Sequence, residues 1–152
     1  ILRQLLGEFP AVAIHLPRVR ELARRHRQLS IVLDHGARPD IAAGQWQPWA
    51  ADVAALAHDA PNVVCKLSGL LTEAGSLAAP PPPGAVQRWA AHLLNTFGAQ
   101  RLLWGSDWPV LELAADFARW RRDTQSLLAP LNESDREAVL GANARRIYQR
   151  AG

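Results

Sequence analysis

The chain has 152 residues, of which 49% are hydrophobic, enough for one domain with a substantial core. No apolar run reaches the length of a membrane span, and the first residues show no secretory leader. The net charge of +3 comes almost entirely from arginines, which are spread over several predicted helices among acidic residues. Solvated helix faces explain this distribution better than nucleic-acid binding does. The single cysteine, Cys65, excludes an internal disulfide and a Cys-based zinc site, so we expect a cytoplasmic protein.

The first part of the chain predicts a strand, a helix and a second strand. Residues 11–14 form an apolar run that predicts a short strand ending at His15. Pro17 follows at a position typical of a first helical turn, and the apolar spacing beyond it predicts an amphipathic helix with a basic end. A β-branched run at residues 30–33 predicts the second strand, which ends just before His35.

The middle of the chain repeats the same alternation. Residues 45–58 keep the spacing of one buried helical face, and residues 62–69 predict a third strand that carries Lys66. The proline-rich residues 72–84 predict a stiff loop, because the strand and helix rhythm resumes after them. A clean amphipathic helix then ends at Gly98.

Residues 101–109 are the stretch around which the chain is organised. An apolar run that predicts a short buried strand stops at Gly105 and is followed by Asp107 between two tryptophans. Pro109 prevents a simple continuation into a helix. This pattern is typical of a strand end that presents a catalytic acid.

The last part of the chain is predicted to be helical. A helix of about fifteen residues should end near Pro130, and Asn132 carries the signals of another helix start. Residues 141–143 predict a break before a final helical segment that reaches Tyr148.

Strands and helices that alternate in this way predict parallel strands with right-handed crossovers, in an α/β fold. Because the C-terminal ends of parallel strands lie at one edge, His35, Asp107 and either Lys66 or Ser68 should converge there. His15 would join them if its strand exists. This edge is where ligands bind in both open α/β sheets and (β/α)8 barrels.

Each of these residues also has a purely structural interpretation. Asp107 could cap the following helix or close a turn, His35 could be a core histidine, and Lys66 could reach the surface. His15 could simply precede its helix. Three further histidines lie on predicted helices and are expected to be surface residues: His26, His58 and His92.

Four segments also carry a resemblance to a known family: Val32-Leu33-Asp34-His35-Gly36, Asn62-Val63 with Lys66-Leu67-Ser68-Gly69, Leu103-Trp104-Gly105-Ser106-Asp107-Trp108-Pro109, and Asn143-Ala144-Arg145-Arg146-Ile147-Tyr148. Together they resemble the amidohydrolase-related (amidohydrolase 2) family of TIM-barrel hydrolases, whose relatives include lactonases acting on sugar lactones and on 2-pyrone-4,6-dicarboxylate.

By this resemblance the chain, residues 1–152, is the C-terminal part of a (β/α)8 barrel, since a full barrel needs about 250 residues. Asp107 corresponds to the acid at the end of barrel strand eight, His35 to the strand-six histidine, and Lys66 lies on the seventh strand. The family's first strand carries a His-x-His pair, and the sequence contains none.

The resemblance implies hydrolysis of a lactone or of a related ester or amide bond. Asp107 would act as general base, and His35 would polarise the carbonyl group or bind a metal. Lys66 and Arg38 would favour a small anionic substrate, and Trp108, or Trp104 beside it, would wall the pocket.

A divalent metal, zinc or manganese, would be held by His35 and Asp107, with His15 as a further candidate ligand. Some lactonases of the family work without a metal, so the expectation of a cofactor stays open. The alternative from another class is a catalytically inactive half barrel or an association module, with exposed strand edges. The oligomeric state stays open as well.

Overall fold

The computed structural model describes residues 6–9 and 13–149. Four parallel strands form one sheet in the order in which they occur in the chain. They are β1 (Leu6–Phe9), β2 (Ser30–Leu33), β3 (Val63–Leu67) and β4 (Leu102–Trp104). The predicted parallel alternation of strands and helices is therefore confirmed for this part of the chain.

Helices connect and follow the strands. They are α1 (Leu16–Arg25), α2 (Trp49–Asp59), α3 (Leu70–Ala74), α4 (Gln87–Phe97), α5 (Phe117–Leu128), α6 (Glu133–Glu137) and α7 (Asn143–Tyr148). Short 3-10 turns lie at Ala13–His15, Ala99–Arg101 and Val110–Leu113, and Asp34–Ala37 is a turn in which three residues have positive φ. None of the helices in the described ranges is long and apolar enough to cross a membrane.

The two faces of the sheet are covered differently, because successive side chains of a strand point to opposite faces. One face packs against the helices and supplies the strand residues of the main core: Ile31, Leu33, Val63, Cys65, Leu67 and Leu102. The other face carries a smaller cluster of three strand residues: Val32, Val64 and Leu103. Ala144 and Ile147 of α7 pack against it. Lys66 belongs to this second face, since it is paired in register with Leu103.

The predicted strand at residues 11–14 is wrong for its described part. Ala13 and Ile14 lie in a 3-10 turn that leads directly into α1, while residues 11 and 12 lie outside the described residues. Ile14 is 80% exposed, while Ala13 is partly buried against the main core. The strand that pairs with β2 is β1, several residues earlier in the chain.

The helix predicted over residues 45–58 begins later than expected, at Trp49. The residue before a proline avoids helical backbone geometry, and Pro48 therefore keeps Gln47 outside the helix. The buried face that predicted this helix is present, and Trp49 is its largest buried side chain, with 1% of its surface exposed.

The predicted break at residues 141–143 does not occur. A π-helical segment, Ala138–Ala142, joins α6 to α7 without interruption. Buried contacts favour this continuity, because Val139 is fully buried and the Asn143 side chain donates hydrogen bonds to the carbonyl oxygens of Ala99 (2.7 Å) and Leu102 (2.9 Å). Asn143 does not stop the helix, because its backbone keeps right-handed helical geometry, with φ −63° and ψ −43°.

His92 also differs from its prediction as a surface residue. Its Nε2 atom lies 2.9 Å from the carbonyl oxygen of Ala50, and its ring packs edge-on against Trp46 with centroids 5.0 Å apart. It is a half-buried residue that joins α4 to α2. His26 and His58 are exposed, as predicted.

The N-terminal edge of the sheet is fastened by side chains that bind backbone carbonyls. The amide nitrogen of Asn62 donates to the carbonyl oxygens of Ala23 (3.2 Å) and Leu29 (2.9 Å). The guanidinium of Arg101 donates to the carbonyl oxygen of Ala57 at 3.0 Å. The carbonyls of Ala23 and Ala57 lie at helix ends and have no partners within their own helix, whereas Leu29 lies in the loop before β2. This edge therefore serves stability, which leaves the opposite edge for a site.

Candidate active site

The C-terminal ends of the strands bring three polar residues together. His35 follows β2, Ser68 follows β3 and Asp107 follows β4. The Nδ1 atom of His35 lies 2.9 Å from the Ser68 hydroxyl oxygen, and its Nε2 atom lies 3.7 Å from Oδ1 of Asp107. The histidine and aspartate side chains are 30% and 14% exposed. They are therefore shielded from bulk water but still accessible to a small molecule.

His35 and Asp107 both have left-handed backbone geometry, which is unfavourable for residues other than glycine. His35, Ala37 and Arg38 have φ angles of 50°, 62° and 50°, and Asp107 has φ 61°. Left-handed geometry costs a non-glycine residue about 1–2 kcal/mol. Such strain persists only where the surroundings enforce it, and it concentrates at functional sites.

Gly69 gives the histidine ring its space. A Cβ atom at this position would lie 2.8 Å from the ring of His35, closer than real contacts allow. Gly69 also has φ +69°, which favours glycine for a second reason. The glycine after Ser68 is therefore a steric requirement for the position of His35.

Two buried tryptophans hold the strained turns from the helix side. The indole N–H of Trp49, on α2, donates to the carbonyl oxygen of Gly36 at 2.7 Å. The indole N–H of Trp120, on α5, donates to the carbonyl oxygen of Gly105 at 2.9 Å. Each bond fixes the backbone within two residues of His35 or Asp107. The helices thus position the site as well as cover the sheet.

The two cations that the sequence singles out are both paired with carboxylates. Arg38 Nε lies 2.7 Å from Oε1 of Glu73, and Lys66 Nζ lies 2.7 Å from Oδ1 of Asp34. Sequence reasoning assigned no role to either carboxylate. The position of Asp34, one residue beyond β2, could have predicted its pairing, because the strand register brings it level with Lys66 of β3. No feature of the sequence predicts the pairing of Glu73 with Arg38.

The carboxyl group of Asp107 has a raised pKa. Burial is the largest cause, and the negative charges of Asp34 and Glu73 add to it. His35 and Arg38 act in the opposite direction, since nearby positive charge favours the ionised carboxylate. A carboxylate with a raised pKa is a better proton acceptor than an ordinary one, as general-base catalysis requires.

A cavity of about 530 Å³ opens beside these residues. Its titratable lining consists of His35, Arg38, Glu73 and Asp107. Hydroxyl groups come from Thr72 and Ser76, and an apolar wall comes from Val110 and Leu113. The size and the mixture of groups suit a small polar molecule with a few apolar atoms.

Besides Lys66 and Ser68, three other residues predicted for the site lie outside this lining. Trp108 is 67% exposed and donates its indole N–H to Glu112 at 3.1 Å. Trp104 faces the helices, where its indole N–H donates to the Thr124 hydroxyl oxygen at 2.8 Å. His15 is exposed at the start of α1. Roles in substrate or metal binding for Trp108 and His15 stay predictions.

His35 and Asp107 are the types of side chain that bind a divalent metal. A catalytic zinc site uses three protein ligands, however, and no group of three suitable His, Cys, Asp or Glu residues exists in the described part of the chain. These residues therefore do not complete a metal site by themselves. At most they supply two ligands of one.

Comparison with known proteins gives a consistent result. The family model described as amidohydrolase matches residues 6–150. An L-fucono-1,5-lactonase of Burkholderia ambifaria is 41% identical over 141 residues, which cover 89% of this chain and 47% of the relative. An L-fucono-1,5-lactonase of Burkholderia multivorans is 37% identical over 152 residues, with coverages of 88% and 47%.

A solved structure agrees with the sequence comparisons. An amidohydrolase from Burkholderia multivorans with bound zinc superimposes with a TM-score of 0.84 at 33% identity, over 95% of this chain and 52% of that one. The chain thus spans about half the length of the relatives it matches. These matches confirm the resemblance found in the sequence and the predicted fold class, part of a (β/α)8 barrel.

Proposed function

The chain belongs to the amidohydrolase family, and we propose that the native protein carrying it is a hydrolase that opens a lactone ring, with Asp107 as general base. The observation that supports this most strongly is the pairing of Asp107 Oδ1 with His35 Nε2, 3.7 Å apart, at the wall of the cavity. The Burkholderia relatives, named as L-fucono-1,5-lactonases, support a sugar lactone as the substrate.

The first half of the proposed reaction is the attack of water. The ionised carboxylate of Asp107 accepts a proton from a water molecule while the water oxygen bonds to the lactone carbonyl carbon. His35 donates from Nε2 to the carbonyl oxygen and stabilises the negative charge that develops there. Ser68 fixes the ring by its contact with Nδ1, and its buried hydroxyl can donate to that atom.

The second half is the opening of the ring. The tetrahedral intermediate collapses, the bond between the carbonyl carbon and the ring oxygen breaks, and a carboxyl group forms. Asp107, now protonated, returns its proton to the departing ring oxygen, which becomes a hydroxyl group. The base is thereby regenerated, and the balance is one water added to one lactone.

A divalent metal, zinc or manganese, is the alternative to the donor role of His35, because a histidine nitrogen that binds a metal has no proton to donate. His35 and Asp107 would supply two ligands, and further ligands would have to come from outside the described residues. A bound metal would polarise the carbonyl group.

Substrate charge and location are also proposals. The anionic substrate expected from the sequence would bind Arg38 of the cavity lining, whereas a sugar lactone of the kind named for the relatives carries no charge. A cytoplasmic location fits the single buried cysteine. The alternative of an inactive half barrel is supported by the sheet, since β1 and β4 stand at its edges in the described part of the chain.

The proposed function is tested by measuring acid release from L-fucono-1,5-lactone with the native protein. We expect turnover, and we expect His35→Asn to lower kcat by roughly 100-fold because a donor to the developing oxyanion is lost. His58→Asn, an exposed histidine on α2, is the matched control and should keep full activity. Absence of turnover in the unmodified protein, or full turnover in His35→Asn, would contradict the proposal.

A further inference from the structure

The charges around the cavity are balanced in pairs. Arg38 binds Glu73 through its Nε atom, and the two side chains are 52% and 20% exposed. Lys66 lies on the sheet face that carries Leu103, and its side chain binds Asp34. Each positive charge that would attract an anion is therefore already matched by a carboxylate. Asp107 is the charge left unbalanced in the lining, and its sign is negative when it acts as base.

We propose that Glu73 sets the charge preference of this cavity: by binding Arg38, it makes the site select an uncharged polyhydroxylated lactone over a lactone that carries a carboxylate. The inference rests on the proposed lactone hydrolysis and adds the residue that decides the substrate class. It replaces the expectation, drawn from the two cations alone, that the substrate is anionic.

Repulsion is the reason that a carboxylated substrate is disfavoured. To reach Arg38, its carboxylate would have to lie beside Glu73 and within the field of Asp107, so three negative charges would share one cavity with one guanidinium. Like charges brought together without compensation cost binding energy, and discrimination of this kind works by rejecting the wrong ligand.

A hydroxyl group has no such conflict. It can donate to the Glu73 carboxylate and accept from the guanidinium N–H groups of Arg38 that Glu73 does not occupy. Thr72 and Ser76 add hydroxyls to the same lining. The pair thus offers a donor and an acceptor side by side, which matches the neighbouring hydroxyl groups of a sugar ring.

Glu73→Gln is a clean probe of this role. The backbone of residue 73 is held independently of the side chain, because its N–H donates to the carbonyl oxygen of Gly69 and its carbonyl oxygen accepts from the N–H of Ala42. The amide oxygen of glutamine can still accept from Arg38. The substitution therefore removes the negative charge and keeps the shape.

The experiment titrates succinate, a simple dicarboxylate, into the native protein and into Glu73→Gln by calorimetry. We expect weak binding to the unmodified protein and about tenfold tighter binding to the variant, the gain typical of one charge-assisted hydrogen bond made available. Succinate should inhibit opening of L-fucono-1,5-lactone in the same order. Glu21→Gln breaks the exposed Glu21–Arg25 pair of α1 and should change neither value.

Equal succinate affinity in the unmodified protein and in Glu73→Gln would overturn the proposal. If the variant does not melt cooperatively, the test uses the unmodified protein alone and compares its Kd for succinate with its KM for the uncharged lactone. A Kd below that KM overturns the proposal, and a Kd above it supports the proposal. Failure of the proposed function appears separately, as absence of lactone turnover, because the calorimetric result does not depend on catalysis.

Discussion

At the scale of single residues, Asp107 combines a strained backbone with an unfavourable charge. Its φ of 61° and its raised pKa both indicate that the fold accepts a cost at this position. Residues optimised for stability alone rarely show both features, whereas functional sites do. The two properties lead to separate predictions.

The first prediction concerns pH. Asp107 must be ionised to accept a proton, and burial raises the pKa of Asp107 above its ordinary value of 3.8, with Asp34 and Glu73 adding to the shift. The acidic limb of kcat/KM should therefore lie above pH 3.8. Glu73→Gln removes one negative charge and should move the limb to lower pH, whereas Glu21→Gln should not. A shift to higher pH would contradict this electrostatic account.

The second prediction concerns stability. Because the pKa of Asp107 is higher in the folded than in the unfolded chain, its contribution to stability is present at low pH and is lost as pH rises through the folded-state pKa. At pH 7 the ionised side chain is a cost that Asp107→Asn removes, and asparagine tolerates positive φ well.

Urea unfolding of Asp107→Asn at pH 7 should therefore give a free energy of unfolding about 0.5–2 kcal/mol higher than that of the unmodified protein. At pH 3 the gain should shrink, because the native aspartate is then protonated as well. A variant less stable than the unmodified protein at pH 7 would show that Asp107 contributes to the fold rather than burdening it.

At the scale of elements, the site is held by helices through two indole N–H groups. Parallel strands bring His35 and Asp107 to one edge, but they do not fix the turns that follow. Trp49 of α2 and Trp120 of α5 do so by binding the carbonyl oxygens of Gly36 and Gly105. Buried hydrogen bonds of this kind are costly to break, because the carbonyl group is left without a partner.

The third prediction follows from these bonds. Trp49→Phe and Trp120→Phe should each lower the free energy of unfolding by about 1–3 kcal/mol and reduce kcat/KM, since the turns lose their anchors. Trp108→Phe, which removes an exposed indole, should change stability by less than about 0.5 kcal/mol. Equal stability losses in all three variants, measured by urea unfolding, would contradict the anchoring role.

The sequence predicts the residues at the strand ends because their positions are local. A β-branched run followed by a polar residue marks a strand end, and parallel connections force these ends to one edge, which places His35 near Asp107. The carboxylates that pair with Lys66 and Arg38 are set instead by the strand register and by the direction of α3. Both depend on contacts between residues that are distant in the sequence. Asp34 and Glu73 are therefore absent from the predicted site.

The left-handed turn after β2 is beyond sequence reasoning for a different reason. Ala37 and Arg38 do not favour positive φ, so nothing local predicts their geometry. Packing enforces it: Gly36 lies against Leu93, where an added Cβ atom would be 2.8 Å from that side chain, and Trp49 binds its carbonyl oxygen. Non-local packing also explains the error at Ala13 and Ile14, because the apolar pattern did not reveal that Ile14 is exposed.

At the scale of the whole molecule, the sheet of the described residues has two edge strands, β1 and β4. In the described part of the chain β1 pairs with β2 alone and β4 with β3 alone, so each presents one unpaired edge. Val32, Val64 and Leu103 on the second face are buried, and Ala144 and Ile147 of α7 pack against them. Unpaired strand edges promote association with other chains.

The fourth prediction is that the 152-residue chain expressed alone associates with itself. Its mass is 16.7 kDa, and size-exclusion chromatography with light scattering should give a larger, concentration-dependent mass. A monodisperse species of 16.7 kDa at all concentrations would show that α7 and the loops protect the edges sufficiently.

The central claim is that Asp107 is the base that activates water. Its most direct test is the opening of L-fucono-1,5-lactone by Asp107→Asn in the native protein, with Asp52→Asn on α2 as a matched control. We expect kcat to fall by about 10²–10⁴ with little change in KM, as for the loss of a positioned general base, while the control keeps its activity. Because Asp107→Asn is predicted to be the more stable protein, unfolding would not explain such a loss. Turnover by Asp107→Asn at the rate of the unmodified protein would contradict the claim.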